Sequence, residues 1–193
     1  MMGLMLDRHG WLKPHGQVQC CPSPNYDKRP AGVDPTLLVL HNISLPPGQF
    51  GKKHIVDFFL NRLNCNHHPW FENIRNLKVS AHFLIDREGT ITQFVSTRHR
   101  AWHAGVSSFN GRQKCNDFSI GVELEGTDTQ PYTDEQYYAL KRLTQVIRAR
   151  HTLKAVRGHE HIAPGRKTDP GRAFKWRRYA REGQWLLRQL PQA

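Results

Sequence analysis

The chain has 193 residues, of which 38% are hydrophobic and 10% aromatic. That apolar content excludes a disordered chain and is sufficient for the core of one folded domain. The 28 Lys and Arg residues outnumber the 16 Asp and Glu residues and give a formal net charge of +12, which favours polyanions or a substrate that carries several carboxylates. The basic residues are scattered and accompany no nucleic-acid-binding motif, so we expect no nucleic-acid partner.

The cysteines and the apolar runs indicate the compartment. None of the cysteines forms a Cys-x-x-Cys pair, so neither a zinc knuckle nor a disulfide framework is predicted; they are Cys20, Cys21, Cys65 and Cys115. No apolar run approaches the roughly 20 residues that cross a bilayer, and the N-terminus lacks the apolar core of a signal peptide. We expect a cytoplasmic monomer with reduced thiols and no membrane partner.

The first part of the chain divides into an arm and the start of a body. Residues 1–35 are rich in Pro and Gly and predict an extended arm that packs on the body, which we place at residues 36–193. The body begins with an apolar run over 36–41 that is typical of a strand buried on both faces. The patterns that follow predict a helix over 52–63, a loop over 64–78, a hairpin of strands 79–85 and 90–95, and a long loop over 97–117.

The second part alternates strands and helices. Residues 119–125 alternate as a strand, with Ile120, Val122 and Leu124 on one face. Thr133 and Gln136 form a capping box that begins a helix ending near Arg150. A short strand at 155–156 and a terminal helix over 173–190 follow. This order predicts an α/β fold: a single domain with a central mixed β-sheet flanked by helices.

The segment between Val156 and Gly171 carries several residues that could do chemistry. Its prolines and glycines predict a rigid, exposed loop, and Gly158 allows an unusual backbone angle before His159. Imidazole nitrogen and carboxylate oxygen are zinc ligands, and a catalytic zinc uses three protein ligands and a water. His159 and Asp169 supply two ligands, so the third must come from elsewhere.

The best candidate for the third ligand is His41, which ends the first buried strand. Ligands in α/β sheets usually lie at the carboxyl ends of strands, and two strand ends on one edge bring His41 near His159, with Asp169 completing the site. The alternative is a pair formed by His159 and His161, which are two residues apart. Most of the 12 histidines are ordinary surface or packing residues. His82 and His103 remain open, and those that we interpret as ordinary are His9, His15, His54, His67, His68, His99 and His151.

Two carboxylates on the strand over 119–125 are the other unusual feature. Glu123 and Glu125 share a face of an apolar strand, and a buried carboxylate must be paired, hydrogen-bonded or directed into a polar cleft. For Glu125 we predict an ion pair. For Glu123 we predict a general base near a metal-bound water, with Lys167 as the cation that stabilises a developing oxyanion; solvated charge is the simpler interpretation of Lys167.

Five segments together resemble one known family. They are LHNISLPPG (40–48), VSAHFLI (79–85), RAWHAGVS (100–107), CNDFSIGVELEGTDT (115–129) and RKTDPG (166–171). They resemble the cytoplasmic 1,6-anhydro-N-acetylmuramyl-L-alanine amidases, which belong to the zinc amidase family that includes phage T7 lysozyme and the peptidoglycan recognition proteins. The resemblance extends from about Cys21 to Tyr179 and implies the fold of that family.

The resemblance also implies roles for particular residues. His41, His159 and Asp169 match zinc ligands, Glu123 and Lys167 match the catalytic pair, and the substrate-binding positions are matched by Asn42, Trp102, Lys78 and Lys114. Relatives often carry arginine where this chain has the last two, so bidentate carboxylate recognition is lost there. No role is carried over to His82 or His103.

The activity implied is zinc-dependent hydrolysis of the amide between (1,6-anhydro-)N-acetylmuramic acid and L-alanine of the stem peptide, in muropeptide recycling. By the same resemblance it would control β-lactamase induction indirectly, and the partner would be a small muropeptide. The alternatives are a non-catalytic muropeptide- or peptidoglycan-binding module and, on charge alone, a nucleic-acid binder.

Overall fold

The computed structural model describes residues 3–191, so the first two residues of the predicted arm and the last two of the predicted body lie outside the described residues. The strands are β1 (Val18–Cys20), β2 (Tyr26–Lys28), β3 (Leu37–Ile43), β4 (Phe83–Ile85), β5 (Ile91–Gln93), β6 (His99–Ala101), β7 (Ser108–Phe109), β8 (Arg112–Gln113), β9 (Ser119–Glu125) and β10 (Ala155–Gly158). The helices are α1 (His54–Phe59), α2 (Asp134–Arg150), α3 (His159–Ile162) and α4 (Trp176–Glu182), with 3-10 turns at Cys65–His67, Pro69–Ile74, Cys115–Asp117 and Leu187–Gln189.

Six strands form the central sheet in the order β1-β5-β4-β9-β3-β10. The β4–β5 pair is antiparallel and every other neighbouring pair in this sheet is parallel. The predicted mixed sheet is therefore confirmed. Two small antiparallel pairs, β2–β6 and β7–β8, lie beside it.

The two faces of the sheet bury different residues because strand side chains alternate. Leu40 of β3 and Val122 of β9 belong to the core cluster that also contains Leu140 and Leu143 of α2. The opposite face carries Val39 and the polar residues of β9. All seven residues of β9 are buried, so its polar side chains lie under other elements and not in solvent.

Helix α2 begins as the sequence predicts. The Thr133 hydroxyl accepts a hydrogen bond from the Gln136 amide, and the Gln136 side chain accepts one from the Thr133 amide, both at 3.1 Å. This reciprocal capping satisfies two amides that have no partner inside the helix.

Two predicted helices are longer than the observed ones. Helix α1 covers 54–59 of the predicted 52–63, and Asn61 follows it with a φ of 56°. Helix α4 covers 176–182 of the predicted 173–190, and Gln184 follows with a φ of 53°. A residue in the left-handed region ends a helix, and periodicity alone did not detect either stop.

Two predicted irregular segments contain strands. Residues 18–20 of the predicted arm pair with β5 and form an edge of the central sheet, and Leu12 is buried in the core. The predicted loop over 97–117 contains β6, the β7–β8 hairpin and a 3-10 turn. Strands of two or three residues are too short to show the alternation on which the prediction depends. Within residues 3–191, no helix is both long enough and apolar enough to span a bilayer.

Candidate metal centre and active site

Three adjacent parallel strands bring together side chains that are far apart in the sequence. In the β3–β9 register His41 lies opposite Glu123, and in the β10–β3 register Gly158 lies opposite Leu40. His159, the next residue after Gly158, therefore comes level with His41. The carboxyl ends of these strands form one edge, which is where ligands usually bind in such sheets.

The segment that carries His159 and Asp169 differs from the predicted exposed loop. It begins with the one-turn helix α3, and His159, Pro170 and Gly171 are buried, whereas residues 164–168 are exposed as predicted. The φ of Gly158 is −76°, which any residue can adopt, so the chain does not use the unusual angle that a glycine allows there. The glycine is needed for space, because an added Cβ would lie 2.5 Å from Pro170 Cδ.

The three predicted ligands form a tight triangle. The Nδ1 atom of His41 lies 3.0 Å from Nδ1 of His159 and 3.0 Å from Oδ2 of Asp169, and the third side of the triangle is 3.2 Å. Two ligands bound tetrahedrally to zinc at about 2.0–2.1 Å are separated by roughly 3.3 Å. Two imidazole nitrogens and one carboxylate oxygen at these separations fit a zinc ion. Among residues 3–191 they form the one such group of His, Cys, Asp or Glu.

His161, the alternative partner of His159, points elsewhere. Its Nδ1 atom accepts a hydrogen bond of 2.9 Å from the Gly158 amide, and its ring packs edge-on against Trp176. This side chain stabilises the start of α3 and is not a member of the triangle.

The second ring nitrogens of the two histidines also have partners. His159 Nε2 lies 3.1 Å from the carbonyl oxygen of Ala104. His41 Nε2 lies 2.9 Å from Nδ1 of His103, whose Nε2 atom lies 3.1 Å from the Ser119 hydroxyl. Metal-binding histidines usually make such a bond through the nitrogen that is not bound to the metal.

The protonation of the acidic groups is set by burial and by their neighbours. Burial raises the pKa of Asp169, but hydrogen bonds with His159 and His41 outweigh it and the net pKa is lowered. Burial, and then the charge of Asp169, raise the pKa of Glu123 well above its ordinary value, and Lys167 opposes them. Glu123 Oε2 is buried without a hydrogen-bond partner. A carboxylate in such surroundings is a stronger base than one in water.

The second strand carboxylate is held differently from our expectation. Glu125 accepts hydrogen bonds from the backbone amides of Gly51, at 2.7 Å, and Arg87, at 3.3 Å. It makes no ion pair within 4.0 Å in the described part of the chain, so that prediction is wrong. The backbone amides of Gly51 and Arg87 take the place of the cation that we predicted as the partner of Glu125.

A cavity of about 720 Å³ opens over the triangle. The candidates Asn42, Trp102 and Lys167 line it together with Glu123. Asn42 Nδ2 donates to Asp128 at 2.8 Å and Trp102 Nε1 donates to Asp27 at 3.2 Å. The remainder of the wall is mixed: its apolar residues include Leu45, Pro47, Phe58, Trp70, Ile74 and Leu77, and its polar residues include Ser44, Ser80, Thr127, Thr129 and Arg166.

The two candidate lysines lie apart. Lys78 lines an adjoining depression together with Trp102 and Lys167, whereas Lys114 lies in a different depression that the ligand triangle does not line. Arg166 lies between these regions, and its guanidinium donates to the carbonyl oxygens of Ala104, at 2.8 Å, and Val106, at 2.6 Å. The sequence did not indicate Arg166, because a basic residue in a polar loop carries no pattern of its own.

Comparison with known proteins identifies the family. The family model described as N-acetylmuramoyl-L-alanine amidase matches residues 31–172. The chain belongs to this family. It is 53% identical over 177 residues to the 1,6-anhydro-N-acetylmuramyl-L-alanine amidase AmpD of Citrobacter freundii, covering 91% of this chain and 93% of that protein.

Solved structures agree with the family and the fold. The crystal structure of a selenomethionine derivative of AmpD matches with a TM-score of 0.88 and 50% identity, covering 92% of this chain and 98% of that one. A human peptidoglycan recognition protein matches with a TM-score of 0.60 and 15% identity, covering 91% and 99%; this likeness concerns the fold alone. The predicted amidase fold is confirmed, and the chain is an enzyme of the amidase family.

Proposed function

We propose that this amidase hydrolyses the amide between 1,6-anhydro-N-acetylmuramic acid and L-alanine of a muropeptide, using zinc held by His41, His159 and Asp169. The observation that carries the proposal is the triangle of ligand atoms with sides of 3.0, 3.0 and 3.2 Å at the base of a cavity. The name of the Citrobacter freundii relative, which covers nearly the whole chain, supports this substrate class.

The proposed chemistry divides among a few side chains. Zinc, when bound, would acidify a water molecule and polarise the scissile carbonyl group. Glu123 takes the proton from the attacking water and passes it to the leaving amine, which its raised pKa favours. Lys167 lines the same cavity and places a positive charge beside the oxyanion of the tetrahedral intermediate.

The walls of the cavity suggest how the substrate is held. We propose that Asn42 and Trp102 contact the muropeptide beside the scissile bond, and that Lys78 attracts a carboxylate of the stem peptide from the adjoining depression. The net charge of +12 favours such an anionic substrate. Lys114, which lies outside the cavity, is the weakest of the proposed contacts.

The proposed biological role follows from the substrate. Hydrolysis of anhydro-muropeptides in the cytoplasm would recycle the stem peptide and remove the molecules that signal β-lactamase induction. The resemblance to the cytoplasmic amidases of this family supports that role.

The test is release of free peptide from anhydro- and non-anhydro-muropeptides, measured side by side with and without a chelator. We expect hydrolysis of the anhydro substrate that chelation abolishes and zinc restores. Glu123→Gln should lower kcat by about 10²–10⁴-fold and retain zinc, because only the proton acceptor is lost. Zinc binding without hydrolysis would indicate a binding module instead, and a Glu123→Gln variant as fast as the wild type would reject the assigned base.

A further inference from the structure

A short chain of buried polar side chains extends from the candidate ligand His41 to the interior of the sheet. His41 Nε2 lies 2.9 Å from His103 Nδ1, and His103 Nε2 lies 3.1 Å from Ser119 Oγ. His41, His103 and Ser119 are 1%, 9% and 0% exposed. No other hydrogen-bond partner of the His103 ring or of the Ser119 hydroxyl is found among the described residues.

The neighbouring strand is shaped to admit the His103 ring. A Cβ added at Gly121 would lie 2.5 Å from Cγ and 2.6 Å from Nδ1 of His103. Strand β9 therefore lacks a side chain at the point where this ring crosses it, between Ser119 and Glu123. The Asn116 side chain accepts hydrogen bonds from the backbone amides of His103, at 3.1 Å, and Ala104, at 2.8 Å, and so fixes the backbone that carries the ring.

The hydrogen bonds among His41, His103 and Ser119 determine which ring nitrogens carry the protons. A metal bound at His41 Nδ1 leaves the proton of that neutral ring on Nε2, which donates to His103 Nδ1. Since a neutral imidazole has one donor and one acceptor, His103 then carries its proton on Nε2 and donates to Ser119. The reverse arrangement, in which the Ser119 hydroxyl donates to His103 and His103 donates to His41, leaves the proton of His41 on Nδ1, directed at Asp169.

We propose that His103 is a positioning residue which, together with Ser119, holds His41 with its Nδ1 lone pair directed at the metal position. The proposal rests on the proposed zinc-dependent function. His103 replaces the carboxylate or carbonyl that more often accepts this bond. Among residues 3–191, Asp169 is then the one carboxylate paired with the ligand histidines within 4.0 Å. His103 lines the cavity, but it is only 9% exposed and both its ring nitrogens face His41 and Ser119, so we assign its role to the contact with His41.

Substitutions at His103 separate positioning from simple packing. In His103→Asn the side-chain oxygen lies near the former Nδ1 atom and can still accept from His41, whereas His103→Phe keeps a ring of similar size without an acceptor. We expect the Phe variant to bind zinc about 10–100-fold more weakly and the Asn variant to recover most of that loss. His151→Gln, which removes a partly buried imidazole outside the site cavity, is the matched control and should leave zinc affinity unchanged.

The readouts are the zinc dissociation constant by chelator competition and the ring 15N chemical shifts of His41 and His103. In the zinc-loaded wild type we expect both rings to carry the proton on Nε2. An unchanged zinc affinity in the Phe variant would overturn the proposal, as would equal losses in the Phe and Asn variants or a proton on Nδ1 of His103 in the loaded protein.

The proposal remains testable without a folded Phe variant and without muropeptide hydrolysis. If His103→Phe does not fold, the ring 15N chemical shifts of the wild type still test the proposal. Ser119→Ala, which removes only the outer partner of His103, should weaken zinc binding by less than the roughly 10–100-fold expected of His103→Phe. Zinc affinity and ring shifts do not depend on hydrolysis. A protein that binds zinc in this tautomeric state but cleaves no muropeptide would overturn the proposed function and support the positioning role.

Discussion

Glu123 and Lys167 line one cavity, and their surroundings differ. Glu123 is 9% exposed and has one oxygen without a partner, whereas Lys167 is exposed on the loop that carries Asp169. A buried carboxyl is costly to ionise, which suits a group that gains and loses a proton. An exposed lysine side chain on that loop can move towards a developing oxyanion.

We predict that Lys167→Gln lowers kcat for the anhydro-muropeptide by about 10²–10³-fold, the usual effect of removing one oxyanion-stabilising donor. The zinc dissociation constant should change little, because Lys167 is not part of the ligand triangle. Lys154→Gln removes an equally exposed lysine just before β10, outside the site cavity, and should leave kcat unchanged. A Lys167→Gln variant with wild-type kcat would show that this lysine is only a solvated charge.

The junction between strand β10 and helix α3 is the element on which the ligand geometry depends. Gly158 ends β10 opposite Leu40 of β3, and its missing side chain lets Pro170 approach. His159 follows the glycine directly and Asp169 precedes the proline, so this contact sets the separation of two ligands. Close packing of this kind resists even one added methyl group.

We predict that Gly158→Ala weakens zinc binding at least tenfold and destabilises the protein by about 1–3 kcal/mol, because the added Cβ must displace the loop. The φ of −76° is acceptable for alanine, so steric overlap is the cause. Gly16→Ala is the control, since an added Cβ there meets no atom within 4 Å. Zinc titration and urea unfolding measure both effects, and wild-type values for Gly158→Ala would contradict the role of this contact.

At the scale of the whole molecule, burial of His151 makes the free energy of unfolding depend on pH. The pKa of His151 is lowered to about 4, chiefly by burial and then by the charge of Arg29, and Asp34 partly offsets them. The folded state therefore resists protonation at this ring while the unfolded chain, with a pKa near 6.5, does not. The contribution of the neutral His151 ring to the free energy of unfolding is fully present above pH 6.5 and is lost as the pH falls towards 4.

We predict that the stability advantage of wild type over His151→Gln decreases between pH 7 and pH 4.5 by about 1 kcal/mol, a value reduced from the full shift because the ring is only partly buried. The Nε2 atom lies 2.9 Å from Thr97 Oγ1, a contact that glutamine can also make. Urea unfolding of both proteins with chelator present, at several pH values, gives the comparison. An advantage that stays constant or grows on acidification would refute the predicted sign.

The sequence by itself determined the elements with strong local patterns and the residue types of the site. An apolar run predicted β3, alternation predicted β9, and the capping box predicted the start of α2. The family segments contain His41 and Asp169, and the resemblance as a whole implied His159. The predictions of β3, β9 and the start of α2 are confirmed, because periodicity and cap chemistry report the burial of a segment and of its immediate neighbours.

Only the tertiary structure decided which of these residues meet. The register of β3 against β9 and β10 places Glu123 and His159 beside His41, and it left His161 and Lys114 outside the site. It also joined His103 to Ser119 and added β1 to the sheet edge. Contacts between residues 16 to 128 positions apart depend on strand pairing and packing, and no local pattern in the chain encodes those distances.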